Sequence, residues 1–320
     1  MVTVIRAQRR SPVLTPSSLA CLSRIPTINL TAGCAIGCVY CYAVGYASYP
    51  GDGKVVLYEN TLEVLKQEFA RKRTKPRSVY FSPSSDLFQP VPEVLDLSHR
   101  ILEFLFSKDV GVAFLTKGYI PDDTMRLLLG NANRVQEQIG IIALDEALLR
   151  SFEPNAASPA VRLGQIAKLI AGGVPTAARL APVLPGITDT PAALGRLFSA
   201  LAKVGVTRAV ASTLFLRPSI AEFMKGTVTN EKTLEQLLDN YRYANRLAVR
   251  AERSSVTALP RAHREKVYAN IDEVAKEHGI TLSICACMNP DLARGTCGIS
   301  GSWPRKTQPA GQPRLFDMER

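Results

Sequence analysis

The chain's seven cysteines fall into two groups and one outlier: Cys34, Cys38 and Cys41; Cys285, Cys287 and Cys297; and Cys21. The first group has the spacing Cys-x3-Cys-x2-Cys, with three thiols inside eight residues. Three thiolates this close wrap one iron–sulfur cluster if the loop between them turns tightly, and Gly33 and Gly37 supply that freedom. A 4Fe–4S cluster on three protein ligands keeps one iron open to a small molecule. A sulfonium compound coordinated there would receive an electron into its carbon–sulfur bond. Zinc is the alternative occupant, although zinc motifs normally pair close cysteines in twos.

The second group, Cys285-x-Cys287-x9-Cys297, follows an apolar segment and contains Pro and Gly turn formers. Its fourth ligand is missing locally, and Cys21 is the cysteine left to complete a four-thiolate set. An auxiliary iron–sulfur cluster, fully ligated or with an open iron, is the first reading. A structural zinc site and free buried or reactive thiols are the others.

These residues must be positioned by an α/β scaffold. Between Thr27 and Leu214, short β-branched stretches alternate with longer amphipathic ones, the mark of repeated βα units on a parallel sheet. Strands are predicted at Thr27–Leu30, Ser78–Ser82, Val110–Thr116, Val135–Leu144, Thr176–Ala181 and Arg208–Leu214. Helices are predicted at Thr61–Lys72, Val94–Phe106, Asp122–Leu129, Leu163–Ala171 and Pro191–Val204. Thr190 caps the last of these, with Pro191 at its first position, and Gly172 and Gly173 suit a helix stop. Six units are too few for a closed barrel of eight, so the expectation is a partial (β/α)6 barrel with a C-terminal helical and Cys-rich extension. Function in such folds gathers at the carboxyl ends of the strands. The expected organisation is an N-terminal extension (1–26), a core (27–217), C-terminal helices Glu231–Arg253 and Arg261–His278 with the Cys-rich loop (218–299), and a flexible tail (300–320).

With 46% hydrophobic residues, one main domain can bury a large core. Lys and Arg outnumber acids 39 to 28, a formal charge of +11 that favours polyanionic partners. Arg71, Lys72, Arg73, Lys75 and Arg77 form one basic run; Arg242, Arg246, Arg250 and Arg253 recur at helical spacing near Tyr241, Tyr243 and Tyr268. Solvated helix faces explain such runs equally well. No apolar run spans a bilayer, and Met1–Arg10 lacks the apolar segment of a secretion signal; with the cysteine grouping, this predicts a reducing, cytoplasmic location and no membrane partner.

The cysteine signature with an aromatic before its last member, the stretch Tyr80–Pro90, Leu115–Lys117, Phe152–Pro154 and Pro182–Ile187 together resemble the radical S-adenosylmethionine superfamily, in its spore photoproduct lyase and DNA-repair-photolyase-like branch. The resemblance covers about 27–217. It implies a 4Fe–4S cluster on Cys34, Cys38 and Cys41, S-adenosylmethionine as cofactor, and an electron donor such as a flavodoxin or ferredoxin. It further implies that Ser84, Ser85 and Asp86 accept from the cofactor's amino group, that Lys117 reaches its carboxylate, and that the Tyr40 backbone lies beside the adenine. Arg179 is a second candidate cation, Ile187 a candidate wall against the ring, and Ile141–Asp145 the region facing the ribose. Tyr42 matches a tyrosine that the lyase uses in hydrogen-atom transfer. The lyase's hydrogen-donating cysteine, however, corresponds to Pro83 here, which cannot donate. The resulting expectation is reductive cleavage of S-adenosylmethionine and hydrogen abstraction from an unidentified substrate, with nucleic acid first. A peptide or small metabolite is the alternative substrate, and a zinc-stabilised nucleic-acid-binding protein the non-enzyme alternative.

Overall fold

A computed structural model describes residues 2–17, 20–23, 25–249 and 254–299. The chain opens with strands β1 (Thr3–Ala7), β2 (Thr27–Ile28), β3 (Thr31–Ala32) and β4 (Lys54–Tyr58). Helices α1 (Thr61–Arg71), α2 (Pro92–Ser107), α3 (Asp122–Leu129), α4 (Glu146–Phe152), α5 (Pro159–Ala171) and α6 (Pro191–Lys203) then alternate with β5 (Ser78–Phe81), β6 (Gly111–Thr116), β7 (Val135–Gly140), β8 (Thr176–Val183) and β9 (Arg208–Thr213). The chain continues through α7 (Pro218–Thr227), α8 (Glu231–Asp239), β10 (Asn245–Val249), β11 (Ser254–Ala258), α9 (Arg261–Glu277) and β12 (Thr281–Ile284).

Seven strands form one parallel sheet in the order β12-β9-β8-β7-β6-β5-β2. The six predicted strands are all in it, neighbours in sequence order, as a partial barrel requires. The seventh, β12, comes from the extension: the apolar segment Thr281–Ile284 pairs with β9 from Arg208 to Ala211. The fourth predicted strand stops at Gly140 rather than Leu144. The helices bury one stripe each against the sheet. In α2 the buried set Val94, Leu97, Ile101, Leu102 and Leu105 recurs at three- and four-residue intervals, each side chain contributing about 1.5–3 kcal/mol of burial. The cap predicted for α6 is present, the Thr190 side chain accepting from Ala193 N–H (3.3 Å). Gly172 closes α5 and Gly173 follows at φ +78°.

The single predicted helix Glu231–Arg253 is replaced by the short α8 and an antiparallel hairpin of β10 and β11. The arginine spacing mimicked a helix, whereas Asn245–Val249 pairs with Ser254–Ala258 as an antiparallel ladder. Arg250, Arg253 and the predicted tail 300–320 lie outside the described residues. A second apolar cluster, including Val39, Ile142, Leu184, Leu214, Ile220, Met224 and Leu237, packs α4, α7 and α8 over the carboxyl ends of the strands. No helix among the described residues is long and apolar enough to cross a membrane.

Candidate functional site

Cys34, Cys38 and Cys41 lie half-buried on the loop that follows β2 and β3, at the carboxyl rim of the sheet. Gly33 and Gly37 sit at φ +79° and +68°, where a side chain is strained, and a Cβ on Gly33 would lie 2.5 Å from the Lys54 carbonyl. The loop is tied down through its backbone. Ala35 N–H donates to Gln89 Oε1 (2.8 Å), Asn155 Nδ2 donates to the Ala35 carbonyl (2.9 Å), and Val39 N–H donates to the Phe152 carbonyl (3.0 Å). Burial raises all three thiols above their ordinary range; the nearby Lys117 cation opposes this at Cys38 and Cys41.

The loop after β5 faces this rim. Ser85 Oγ and Ser82 Oγ are buried hydroxyls without a hydrogen-bond partner, and Ser82 is held at φ +54°. Ser84 donates its N–H to Asn29 Oδ1 (3.1 Å) and lines a cavity of about 180 Å³ with Gly33, Ala43, Tyr46 and Arg9, whose Nε is also buried and unpartnered. Asp86 is already hydrogen-bonded within the chain. Its carboxylate accepts from Thr116 Oγ1 (2.7 Å), Phe88 N–H (2.8 Å) and Lys117 N–H (2.7 Å), so it holds the end of β6 instead of presenting a free acceptor.

Lys117 follows β6 and reaches across the rim. Its Nζ donates to the Ala181 carbonyl (3.2 Å), lies 3.8 Å from Glu153 Oε1, and sits 5.7 Å from the centre of the Tyr40 ring. Gly140 makes room: a Cβ there would fall 2.8 Å from Lys117 Nζ. Glu153 is buried between Lys117 and the fully buried Arg162, which forms an ion pair with it (2.5 Å) and donates to the Gly140 and Ala157 carbonyls. Tyr40 donates to Glu153 as well, so its ring belongs to the core beneath Lys117. Lys117 and Arg162 are thus set against two buried carboxylates, Glu153 and Asp86, beside the cysteine loop. Ile187, like Cys38 and Tyr42, packs against the second apolar cluster, and Asp145 is engaged as the α4 cap, accepting from Leu148 N–H (2.9 Å).

Comparison with known proteins decides the family, since a family signature described as the Radical SAM superfamily matches residues 28–198. The chain belongs to the radical SAM superfamily. Members are enzymes, and membership implies a 4Fe–4S cluster and S-adenosylmethionine. Relatives of this radical SAM chain include the uncharacterized protein Rv2578c of Mycobacterium tuberculosis, 29% identical over 202 residues (60% of this chain, 59% of the relative). A radical SAM Nalpha-GlyT isomerase of Pseudomonas phage M6 is 27% identical over 173 residues, 54% of this chain and 35% of the relative. The chain thus spans less than two thirds of the length of these relatives. Among solved structures, a spore photoproduct lyase complexed with dinucleoside spore photoproduct has a TM-score of 0.63 at 16% identity, covering 88% of this chain and 82% of that one. A mutant of that lyase with bound AdoMet and the same dinucleoside gives 0.65 at 15% identity, covering 88% and 81%. They share the fold.

The residues present fit the superfamily's cofactors: three thiols on a turn with two left-handed glycines, a buried hydroxyl without a partner at Ser85, and a cation at Lys117. Tyr42 donates its hydroxyl to the Pro83 carbonyl, stacks edge-on against Tyr46 at 5.7 Å, and is pushed well above the ordinary phenol range by burial. Arg179 points inward from β8, bonds Gln138 Oε1 (3.1 Å), and acts electrostatically on Tyr42, Tyr80 and Cys285. It stands between the two cysteine groups rather than at the rim with Lys117.

The second cysteine group is buried inside the barrel with Cys21. The Sγ atoms of Cys21, Cys285 and Cys297 lie within 4.8 Å of one another, and Cys287 Sγ is 2.9 Å from Cys21 Sγ. Hydrogen bonds from Cys21 first, then Cys287 and Cys297, push the Cys285 thiol down; the same contacts push Cys21 up. Glu153, Arg162, Gln89 and Asn29 were given no role from the sequence. Glu153 and Gln89 lay inside the motifs that carried the resemblance, so a signal existed; Arg162, in an ordinary amphipathic helix, offered none.

Proposed function

We propose that this chain is a radical SAM enzyme acting on nucleic acid, with Cys34, Cys38 and Cys41 holding the 4Fe–4S cluster and Ser84, Ser85 and Lys117 holding the amino-acid end of S-adenosylmethionine. Bound there, these groups supply one-electron reductive cleavage of the sulfonium bond and, through it, hydrogen abstraction. The observation that carries the reading is the convergence of the three-thiol loop, the unpartnered Ser85 hydroxyl and Lys117 on one rim. An acceptor hydroxyl suits an ammonium group, and a lysine suits a carboxylate, the charge of Glu153 being shared with Arg162. Asp86 and Gln89 act one step back, fixing the backbone of Lys117 and Ala35. A flavodoxin or ferredoxin is the proposed electron source, and the cytoplasm the proposed location.

Nucleic acid is favoured by the exposed aromatic Tyr243, 79% accessible, beside Arg242 and Arg246. This segment follows α8, which bonds the Pro185 and Gly186 carbonyls after β8 and so lies at the same rim as the cysteines. The basic run Arg71–Arg77 precedes β5 and is at the opposite end, away from the site. Relatives named for a dinucleoside photoproduct point the same way. With Pro83 where the resembled lyase has its donor cysteine, Tyr42 is the proposed hydrogen-atom donor, its O–H already directed at Pro83.

Anaerobic reconstitution with iron and sulfide tests the reading. Under chemical reduction the chain is expected to release methionine and 5′-deoxyadenosine, Cys38→Ser is expected to release neither, and single-stranded oligonucleotides are expected to bind at low salt. Product formation without oligonucleotide binding would turn the substrate assignment toward a peptide or metabolite; absence of both products would end the enzyme assignment. The auxiliary iron–sulfur cluster expected from the sequence at the second cysteine group is not part of this reading, because three of the sulfurs lie within 4.8 Å of one another and the fourth is 2.9 Å from Cys21.

A further inference from the structure

The parallel sheet has two open edges, β2 and β12, with no ladder between them among the described residues. Cys21 lies on the segment leading into β2, and Cys285 directly follows β12. The segment after β12 folds back on itself through an Ile284–Arg294 bridge and enters the barrel. There Cys285, Cys287 and Cys297 pack with Leu22 and Ile25 from the other edge and with Tyr80, Ala113 and Val210 of the strands. Gln138 and Arg208 donate to the Cys297 carbonyl (3.3 and 3.5 Å), and Gln136 donates to the Gly298 carbonyl (2.9 Å). Gly295 and Gly298 allow this closeness, since a Cβ on either would fall 2.6–2.8 Å from Ser283 or Arg208.

The size of the thiol cage selects its occupant. A tetrahedral zinc tetrathiolate with bonds of about 2.3 Å sets its sulfurs about 3.8 Å apart. Here Cys21, Cys285 and Cys297 lie within 4.8 Å of one another, and Cys287 stands beside them at 2.9 Å from Cys21. A cubane cluster would place four irons and four sulfides between the thiolates and spread them much farther. We propose that Cys21, Cys285, Cys287 and Cys297 bind a single zinc ion as a tetrathiolate that staples the two open edges of the barrel. Zinc with four thiolates carries a net negative charge, and the remaining thiol protons leave to solvent on binding. Arg179 supplies the compensating cation: it acts directly on Cys285, and its Nε is buried without a hydrogen-bond partner. The site is independent of the radical chemistry proposed above.

The full chain, purified anaerobically and reconstituted, is expected to hold about one zinc besides about four irons. Cys21→Ser and Cys297→Ser are expected to lose the zinc, keep the iron and melt at lower temperature; Cys38→Ser is expected to do the reverse, losing iron and keeping zinc. If those serine variants fail to fold, the unaltered chain grown with cobalt serves instead. It is expected to show the visible ligand-field bands of tetrahedral cobalt thiolate, bleached by added zinc. Iron rising to about eight per chain with no zinc bound, or a Cys21–Cys287 disulfide in the freshly purified protein, would overturn the proposal.

Discussion

Lys117 carries the site's positive charge at a position where three constraints meet: Asp86 fixes its backbone, Gly140 leaves room for its stem, and Glu153 offsets part of its charge. Replacing it with Met removes the cation proposed to face the cofactor while leaving Arg162 to hold Glu153. Lys117→Met is expected to weaken S-adenosylmethionine binding at least about tenfold, a loss of about 1.4 kcal/mol, with iron content unchanged. Anaerobic equilibrium binding measures this, and an unaltered Kd would remove Lys117 from the cofactor site. Glu137, in the middle of β7, poses a different problem. Both its carboxylate oxygens are buried without a hydrogen-bond partner, and burial raises its pKa from 4.5 to about 8. Between those values the folded chain holds a proton that the unfolded chain has released, so stability falls as pH rises through that window and levels off above it. Glu137→Gln should abolish this slope. Denaturant unfolding of both chains is expected to show near-equal stability at pH 5 and an advantage of a few kcal/mol for the variant at pH 8; parallel pH profiles would show that Glu137 ionises normally.

At the scale of elements, the rim depends on close approaches between consecutive βα units. β7 ends in a glycine because the Lys117 side chain from the neighbouring strand lies across it. Gly140→Ala is expected to push Lys117 aside, reproducing the loss of cofactor affinity expected of Lys117→Met and lowering stability as well, since the added Cβ would also fall 2.8 Å from Lys117 Cγ at the base of its stem. An affinity equal to that of the unaltered chain would show that Lys117 does not rest on Gly140 in solution. Helices α4, α7 and α8 are not stacked on the sheet's flank as the other helices of the βα units are; they lie over the rim. Their apolar residues join Val39 and Cys38 of the cysteine loop in one cluster, which shields the site from water.

The whole molecule is basic, with a formal charge of +11, but its positive groups are not equivalent. Arg242 and Arg246 flank the rim, whereas the run from Arg71 to Arg77 lies at the far end of the barrel. Oligonucleotide affinity is therefore expected to fall steeply with salt and to drop on Arg246→Ala, while Lys72→Ala combined with Arg73→Ala changes catalytic turnover of a bound oligonucleotide little. A slope of log affinity against log salt near zero would indicate that phosphates are not bound at all.

What a single sequence determines here is what its local spacing encodes. Three cysteines within eight residues imply one cluster wherever the loop sits, and alternating apolar stretches imply βα units regardless of their order in space. The helix start at Thr190 and Pro191 was legible for the same reason. The tertiary structure decided everything that joins distant segments. It brought Cys21 beside Cys287, 266 residues away, added β12 to the sheet, turned Asp86 into a brace for Lys117, and aimed Arg179 inward between the cysteine groups. The misread helix after Asp239 has the same origin: four arginines fit a helical period, and only the pairing of Asn245–Val249 with Ser254–Ala258 in the folded chain shows a hairpin. Side-chain spacing is a property of a few residues, but which face a side chain presents depends on the partners that the closing barrel supplies.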